Sequence, residues 1–271
     1  VPAPRIVAWA GSVTISPMHI ETLGSGPDLV LIHGWALHGG VFAPLARRLA
    51  PHFRLHLVDL PGHGLSRDPD ETLDLRSVAL HIAARTPPAI WLGWSLGGLF
   101  ALRAAAALPT VRGLAMIAAT PRFVCGEDWP HAVPHAVFER FGEELGRDYA
   151  GTVDRFIALD ILGSEHGREE LKTLRTLLHA RGEPDPAALR DGLRLLDTAD
   201  LRRSLPGLRV PSLWIAGRRD RLVDPRGMAA AAALAPRSRF VELPGAAHAP
   251  FLGHLDAVAA ELLAFADNAR S

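Results

Sequence analysis

Ile90-Trp91-Leu92-Gly93-Trp94-Ser95-Leu96-Gly97-Gly98 carries no charged residue and changes character halfway along. Residues 89–93 form a short apolar run of the kind expected of a buried strand, and residues 96–107 continue as a helix of small residues. Between them, Gly93-Trp94-Ser95-Leu96-Gly97 fits G-x-S-x-G. A serine on a sharp strand-to-helix turn is held in a strained conformation, so glycine is favoured on both sides of it. The turn exposes Oγ at the carboxyl end of the strand. It also sets beside the serine the N–H groups of a helix start, where anions bind well. The plainer alternative, a glycine-rich turn with a surface serine, is disfavoured by the strand and helix that flank it.

Further apolar runs at 28–32, 53–58, 114–117, 212–216 and 239–243 alternate with helical patterns at 41–49, 75–84 and 255–266. That alternation predicts an α/β fold with a parallel sheet. Residues 121–206 differ. No run there reads as a strand, while 152–159 and 171–178 have helical spacing. The expected organisation is an N-terminal extension (1–17), a catalytic core (18–120 and 207–271) and a helical cap inserted at 121–206.

A serine hydroxyl is a poor nucleophile until a base takes its proton, and the usual base is a histidine steered by a carboxylate. On this kind of turn the order along the chain is serine, acid, histidine. Of 13 histidines, His248 in Gly245-Ala-Ala-His248-Ala-Pro-Phe251 lies just past the last strand. The small residues before it let the backbone come close to the serine. His254 is the nearest competitor, with a capping or surface role expected at the start of the last helix. The acid is expected immediately beyond the preceding strand, which favours Asp220 in Gly217-Arg-Arg-Asp220 over Asp224 four residues later. His33 and Asp59 are read as supports of their own loops. The oxyanion donors expected are the N–H of Leu96, directly after the serine, and the N–H of Trp35 in the His33-Gly34-Trp35 loop. The Trp35 side chain is compatible with a core position and with walling a pocket.

The 271 residues include 29 basic and 29 acidic side chains. Zero net charge argues against a protein that coats nucleic acid, whose affinity comes from clustered Lys and Arg. The single cysteine, Cys125, excludes an intrachain disulfide and a cysteine-cluster metal site. No stretch reaches the ~20 apolar residues that span a bilayer. Residues 1–17 lack a basic start followed by an apolar run, so a cytoplasmic location is expected.

Five segments narrow the reading: His33-Gly-Trp35, Leu57-Val-Asp-Leu-Pro-Gly62, Ile90-Trp-Leu-Gly-Trp-Ser-Leu-Gly-Gly-Leu99, Thr152-Val-Asp-Arg-Phe156 and Ala247-His-Ala-Pro-Phe251. Together they resemble the pimeloyl-[acyl-carrier-protein] methyl ester esterases of biotin synthesis, within the α/β-hydrolase superfamily. The resemblance implies the α/β-hydrolase fold, a mostly parallel central sheet with helices on both faces and an inserted helical cap. It implies a serine carboxylesterase with Ser95, Asp220 and His248 as triad. Trp35 and Leu96 fall at the oxyanion and substrate site, and Phe156, Ile157, Ala158, Leu159 and Asp160 on the cap segment lining the acyl pocket. The family often has a longer polar side chain where Asp160 stands. No metal or organic cofactor is expected, and the partner implied is an acyl-carrier protein bearing a pimeloyl methyl ester. A monomer is expected.

Arg168, Lys172 and Arg175 are spaced i, i+4, i+7 and share one helical face, with Arg155 just before the pocket segment. Such a face could steer an acidic carrier protein. The cap as a whole carries 12 basic and 16 acidic side chains, so a solvated mixed surface is the competing reading. Rival functions are a general short-chain carboxylesterase or other serine hydrolase of the same fold, and a non-catalytic ligand receptor on a hydrolase scaffold.

Overall fold

A computed structural model describes residues 18–67 and 72–270, so the expected extension at 1–17 lies outside the described residues. The chain enters on β1 (Ile20–Gly24) and β2 (Asp28–Ile32), and a 3-10 turn (Gly39–Phe42) leads into α1 (Ala43–Leu49). Then come β3 (Arg54–Val58), α2 (Leu75–Arg85), β4 (Ala89–Trp94), α3 (Leu96–Ala107) and β5 (Val111–Ile117). Four helices follow: α4 (His135–Arg147), α5 (Tyr149–Asp160), α6 (Gly167–Leu178) and α7 (Pro186–Thr198). The chain returns through β6 (Ser212–Gly217), α8 (Pro225–Leu234), β7 (Ser238–Leu243), the short α9 (Pro250–Gly253) and α10 (Leu255–Arg270).

The seven strands form one sheet in the order β1-β3-β2-β4-β5-β6-β7. Only β1 runs antiparallel to its neighbour; every other pairing is parallel. Every residue of β4 and β6 is buried, which is why both read as unbroken apolar runs rather than alternations. β1 is an edge strand of intermediate and exposed residues, so it lacks that signal. β5 begins at Val111, three residues before the apolar run, because the exposed Arg112 interrupts the pattern. The predicted helix at 41–49 begins instead as a 3-10 turn, and the α-helix proper starts at Ala43 with Pro44 in its first turn. α8 escapes a periodicity search because five consecutive alanines fill its second half, but Asp224 caps it and Pro225 opens it.

Between β5 and β6 the described residues contain no strand, only isolated bridges Val124–Val133 and Gly126–Trp129. α7 shows why this stretch packs as helix. Leu189, Leu193 and Leu196 recur at i, i+4, i+7 and are all buried. Each such leucine contributes about 1.5–3 kcal/mol when fully withdrawn from water. Their face, with Phe138 and Phe141 of α4 and Phe156 of α5, roofs the end of β4 where Ser95 stands. No helix among the described residues is long and apolar enough to cross a membrane.

Candidate active site

Ser95 joins β4 to α3 with φ 52° and ψ −121°, in the left-handed region that a non-glycine residue rarely adopts. The glycines around it have no alternative. A Cβ on Gly93 would lie 2.4 Å from the Gly97 carbonyl oxygen, and one on Gly97 would lie 2.2 Å from that of Ile32. These are backbone contacts that cannot swing aside. The Ser95 N–H donates to the Ile117 carbonyl (3.1 Å), which fixes the turn to β5.

His248 sits on the loop after β7. Its N–H donates to the Asp160 carbonyl (2.9 Å), and its own carbonyl accepts from the Trp94 indole (2.8 Å). Asp220 follows β6. Its Oδ1 accepts from the N–H groups of Leu222 and Val223 at 2.8 and 2.9 Å, which leaves Oδ2 to face His248. His248 Nδ1 lies 2.8 Å from Asp220 Oδ2, and its Nε2 lies 2.8 Å from Ser95 Oγ. A carboxylate accepts only, so Nδ1 carries the proton and Nε2 accepts from the serine hydroxyl. All three side chains are buried. Burial pulls the imidazole pKa down, but the charge and hydrogen bond of Asp220, with Asp160 beyond, outweigh it and hold His248 above its ordinary value.

The competing residues lie elsewhere. Asp224 caps α8 and binds the Arg226 guanidinium. His254 Nε2 is 3.0 Å from Glu165. His131, His135 and His166 of the helical stretch face Asp224, Asp197 and Glu165. His33 accepts from the Leu60 N–H and donates to the Gly34 carbonyl. Asp59 receives the N–H groups of Gly39 and Leu65 and the guanidinium of Arg181, so both act as loop supports.

Trp35 and Leu96 are fully buried. Neither backbone N–H has a partner among the described residues, so both remain available as donors. The Trp35 ring packs edge-on against Phe156 at 4.8 Å, and its Nε1 donates to the Leu189 carbonyl at 2.9 Å. It thus stands behind Phe156 rather than in the cavity wall.

The cavity above Ser95 and His248 is lined by Phe123, Val133, Val137, Phe138, Phe141, Phe156, Leu193, Leu196 and Leu222. This corrects the expectation for residues 156–160. Phe156 lines the cavity, whereas Ile157, Ala158, Leu159 and Asp160 do not. Ile157 is wholly buried in the core, Ala158 and Leu159 are half-buried away from the cavity, and Asp160, one turn beyond Phe156, faces His248 instead.

Asp160 is fully buried, neither carboxylate oxygen has a hydrogen-bond partner, and Oδ1 lies 4.0 Å from His248 Nε2. Burial pushes its pKa up to about 7, with His248 pulling down and Asp220 pushing further up. The folded chain therefore holds a proton on Asp160 that an unfolded chain releases near 3.8. Stability from this group is full below the lower value and is lost as pH rises through about 7. Asp160→Asn removes that slope. Its stability relative to wild type should rise between pH 4 and 8, on the order of a few kcal/mol, as read by urea titration at both ends. Removing the charge also lowers the His248 pKa, so the acid limb of kcat/KM should move to lower pH. An unmoved limb would separate Asp160 from the histidine.

Of the four basic residues expected to meet a carrier protein, Arg155, Arg168, Lys172 and Arg175, two are already engaged. Arg175 grips Asp154 with paired bonds of 2.7 and 2.8 Å, and Arg155 binds Glu144, Asp148 and Thr152. Arg168 and Lys172 have no ion pair among the described residues and border a shallow depression with Leu171 and Thr176. The Arg175–Asp154 pair crosses from α6 to α5, so helical spacing within α6 does not reveal it.

Sheet order, strand-to-helix turn and the Ser95–His248–Asp220 contacts are those of the α/β-hydrolases, and the profile of the alpha/beta hydrolase family matches residues 29–261. The fold also resembles an esterase from Exiguobacterium antarcticum, with a TM-score of 0.83 at 22% identity over 94% of this chain and 96% of that one. A pimeloyl-[acyl-carrier protein] methyl ester esterase from Xanthomonas oryzae pv. oryzae (strain MAFF 311018) is 66% identical over 92% of this chain and 98% of its own length. One of the same description from Stenotrophomonas maltophilia (strain K279a) is 66% identical over 92% of this chain and 96% of its own. The chain belongs to this esterase family within the alpha/beta hydrolases.

Proposed function

We propose that the chain hydrolyses the methyl ester of pimeloyl-acyl-carrier protein to free pimeloyl-acyl-carrier protein and methanol in biotin biosynthesis, acting in the cytoplasm as a monomer. The observation that carries this reading is the Ser95–His248–Asp220 chain of hydrogen bonds beneath an apolar cavity, in a sequence 66% identical to esterases of that description. His248 takes the Ser95 proton as Oγ attacks the ester carbonyl. The N–H groups of Leu96 and Trp35 hold the oxyanion. Collapse expels the methoxy group, which leaves as methanol with the proton from His248. Water then adds to the acyl-enzyme, giving its proton to His248, and the second collapse returns that proton to Ser95 with release of the acid. The aromatic and aliphatic wall suits the polymethylene part of a pimeloyl chain. In this form the cavity measures about 40 Å³, so the acyl chain enters as the helices above it part.

Residues 18–120 and 207–271 serve as the catalytic core and 121–206 as its cap. Arg168 and Lys172 offer the free positive charge for an acidic carrier, with Arg155 and Arg175 already neutralised by their partners. The test compares rates on the carrier-bound methyl ester and on simple p-nitrophenyl esters. A large preference for the carrier substrate is expected. Arg168→Ala with Lys172→Ala should raise its KM several-fold and weaken the salt dependence, with kcat unchanged. Equal rates on all short esters would mean a general carboxylesterase. Binding without turnover by intact protein would mean a receptor.

A further inference from the structure

Away from Ser95, Glu165 in the loop after α5, His166 at the start of α6 and His254 between α9 and α10 turn one donor atom each toward a common point. Glu165 Oε1 lies 3.0 Å from His254 Nε2 and 3.7 Å from His166 Nε2, and all three atoms fall within 4.8 Å of one another. The two imidazole rings meet edge to face at 5.3 Å. Donors at ordinary zinc distances in a tetrahedron are separated by about 3.3 Å, close to the spacings here. We propose that Glu165, His166 and His254 form a binding site for a zinc-class divalent transition metal, one that fastens α6 to the catalytic core.

A second observation points the same way. Glu170 is 3% exposed, and its Oε2 has no hydrogen-bond partner, while Oε1 accepts from Ser164 Oγ at 2.9 Å. His254 Nδ1, on the far side of the ring from the donor nitrogen, is also buried and partnerless. Glu170 lies against the neighbouring Gly253, where a Cβ would come 1.9 Å from Oε1, and its charge acts on both His254 and His166. A metal-bound histidine characteristically donates its other ring N–H to a carboxylate; Glu170 Oε2 and His254 Nδ1, both buried and not hydrogen-bonded to each other in this form, are the acceptor and donor that metal binding would draw together. Two imidazoles and one carboxylate suit zinc better than the hard cations magnesium or calcium. The site is also placed to matter. The Glu165 N–H donates to the Gly245 carbonyl at 3.1 Å, at the start of the loop that carries His248.

The test uses the full chain after dialysis against a chelator, titrated with Zn²⁺ by calorimetry and with Co²⁺ by visible absorption. Wild type and Ser95→Ala should each take up one equivalent of Zn²⁺ with micromolar or better affinity, and Zn²⁺ should raise the melting temperature. His166→Ala, His254→Ala and Glu165→Gln should lose that uptake and the thermal shift. Glu170→Gln, which removes no donor, should weaken affinity ~10–100-fold. Circular dichroism and residual ester hydrolysis without metal certify that the variants are folded. No saturable uptake by wild type would overturn the site and leave an ordinary ion pair. So would uptake that persists in the His166→Ala/His254→Ala double variant or depends on His248.

Discussion

Alanine at position 95 should lower kcat for ester hydrolysis by ~10⁴–10⁶ while leaving the protein folded and able to bind substrate. The upper figure corresponds to about 8 kcal/mol of lost transition-state stabilisation. Among the described residues, no other hydroxyl or thiol is hydrogen-bonded to His248 Nε2. Asp160 Oδ1 lies 4.0 Å from that nitrogen, and its side chain is wholly buried. Alanine at φ 52° meets the same left-handed strain as serine, so the turn and the glycine contacts that enforce it are unchanged. The melting temperature should therefore move little. Residual turnover above the uncatalysed rate is expected from the Leu96 and Trp35 N–H groups alone. Near-normal hydrolysis of a p-nitrophenyl ester by the variant, measured after removal of contaminating esterases, would sink the assignment of Ser95.

Asparagine at position 220 should cost ~10⁴ in kcat with KM nearly unchanged. The structure gives the reason. Oδ1 of Asp220 already receives the N–H groups of Leu222 and Val223, so the amide oxygen of an asparagine must stay on that side. Its NH₂ then faces His248 Nδ1, which has to become an acceptor. The ring proton moves to Nε2, and that nitrogen can no longer take the proton of Ser95. The opposite amide orientation would set NH₂ against two N–H donors. Loss of the carboxylate also removes the largest upward influence on the His248 pKa. The remaining activity should thus titrate at lower pH than in wild type. A variant within tenfold of wild-type kcat would shift the acid's role to another carboxylate, Asp160 being nearest.

The strand-to-helix turn was legible because its requirement is local. Close approach of Gly93 to Gly97, and of Gly97 to Ile32, shows in the sequence as missing side chains. The Ser95, Asp220, His248 arrangement followed from strand ends and chain order. Asp224 could have been set aside without coordinates, since an aspartate before Pro225 and a helical run is an N-cap signature. The same holds for Phe156 and Asp160, whose shared face follows from helical spacing, although Asp160's unpartnered state does not. β1 stayed hidden because an edge strand needs no continuous apolar run. The pairing of Arg175 with Asp154 and the meeting of Glu165 with His254, 89 residues on, join different elements and leave no local trace.

The hydrogen bond from Trp35 Nε1 to the Leu189 carbonyl spans 154 positions of the chain. Three residues further along α7, a Cβ on Gly192 would come 2.7 Å from the same ring. The loop after β2 and helix α7 are thus complementary surfaces, cut to each other at positions 35, 189 and 192. A chimaera that takes its helices from a relative must bring a small residue to 192 and an unhindered carbonyl to 189. Otherwise the graft pushes on the loop that presents the Trp35 N–H, and the hybrid suffers in its chemical step rather than in its grip on substrate. Any exchange of substrate range by swapping these helices has to treat those three positions as one inherited unit.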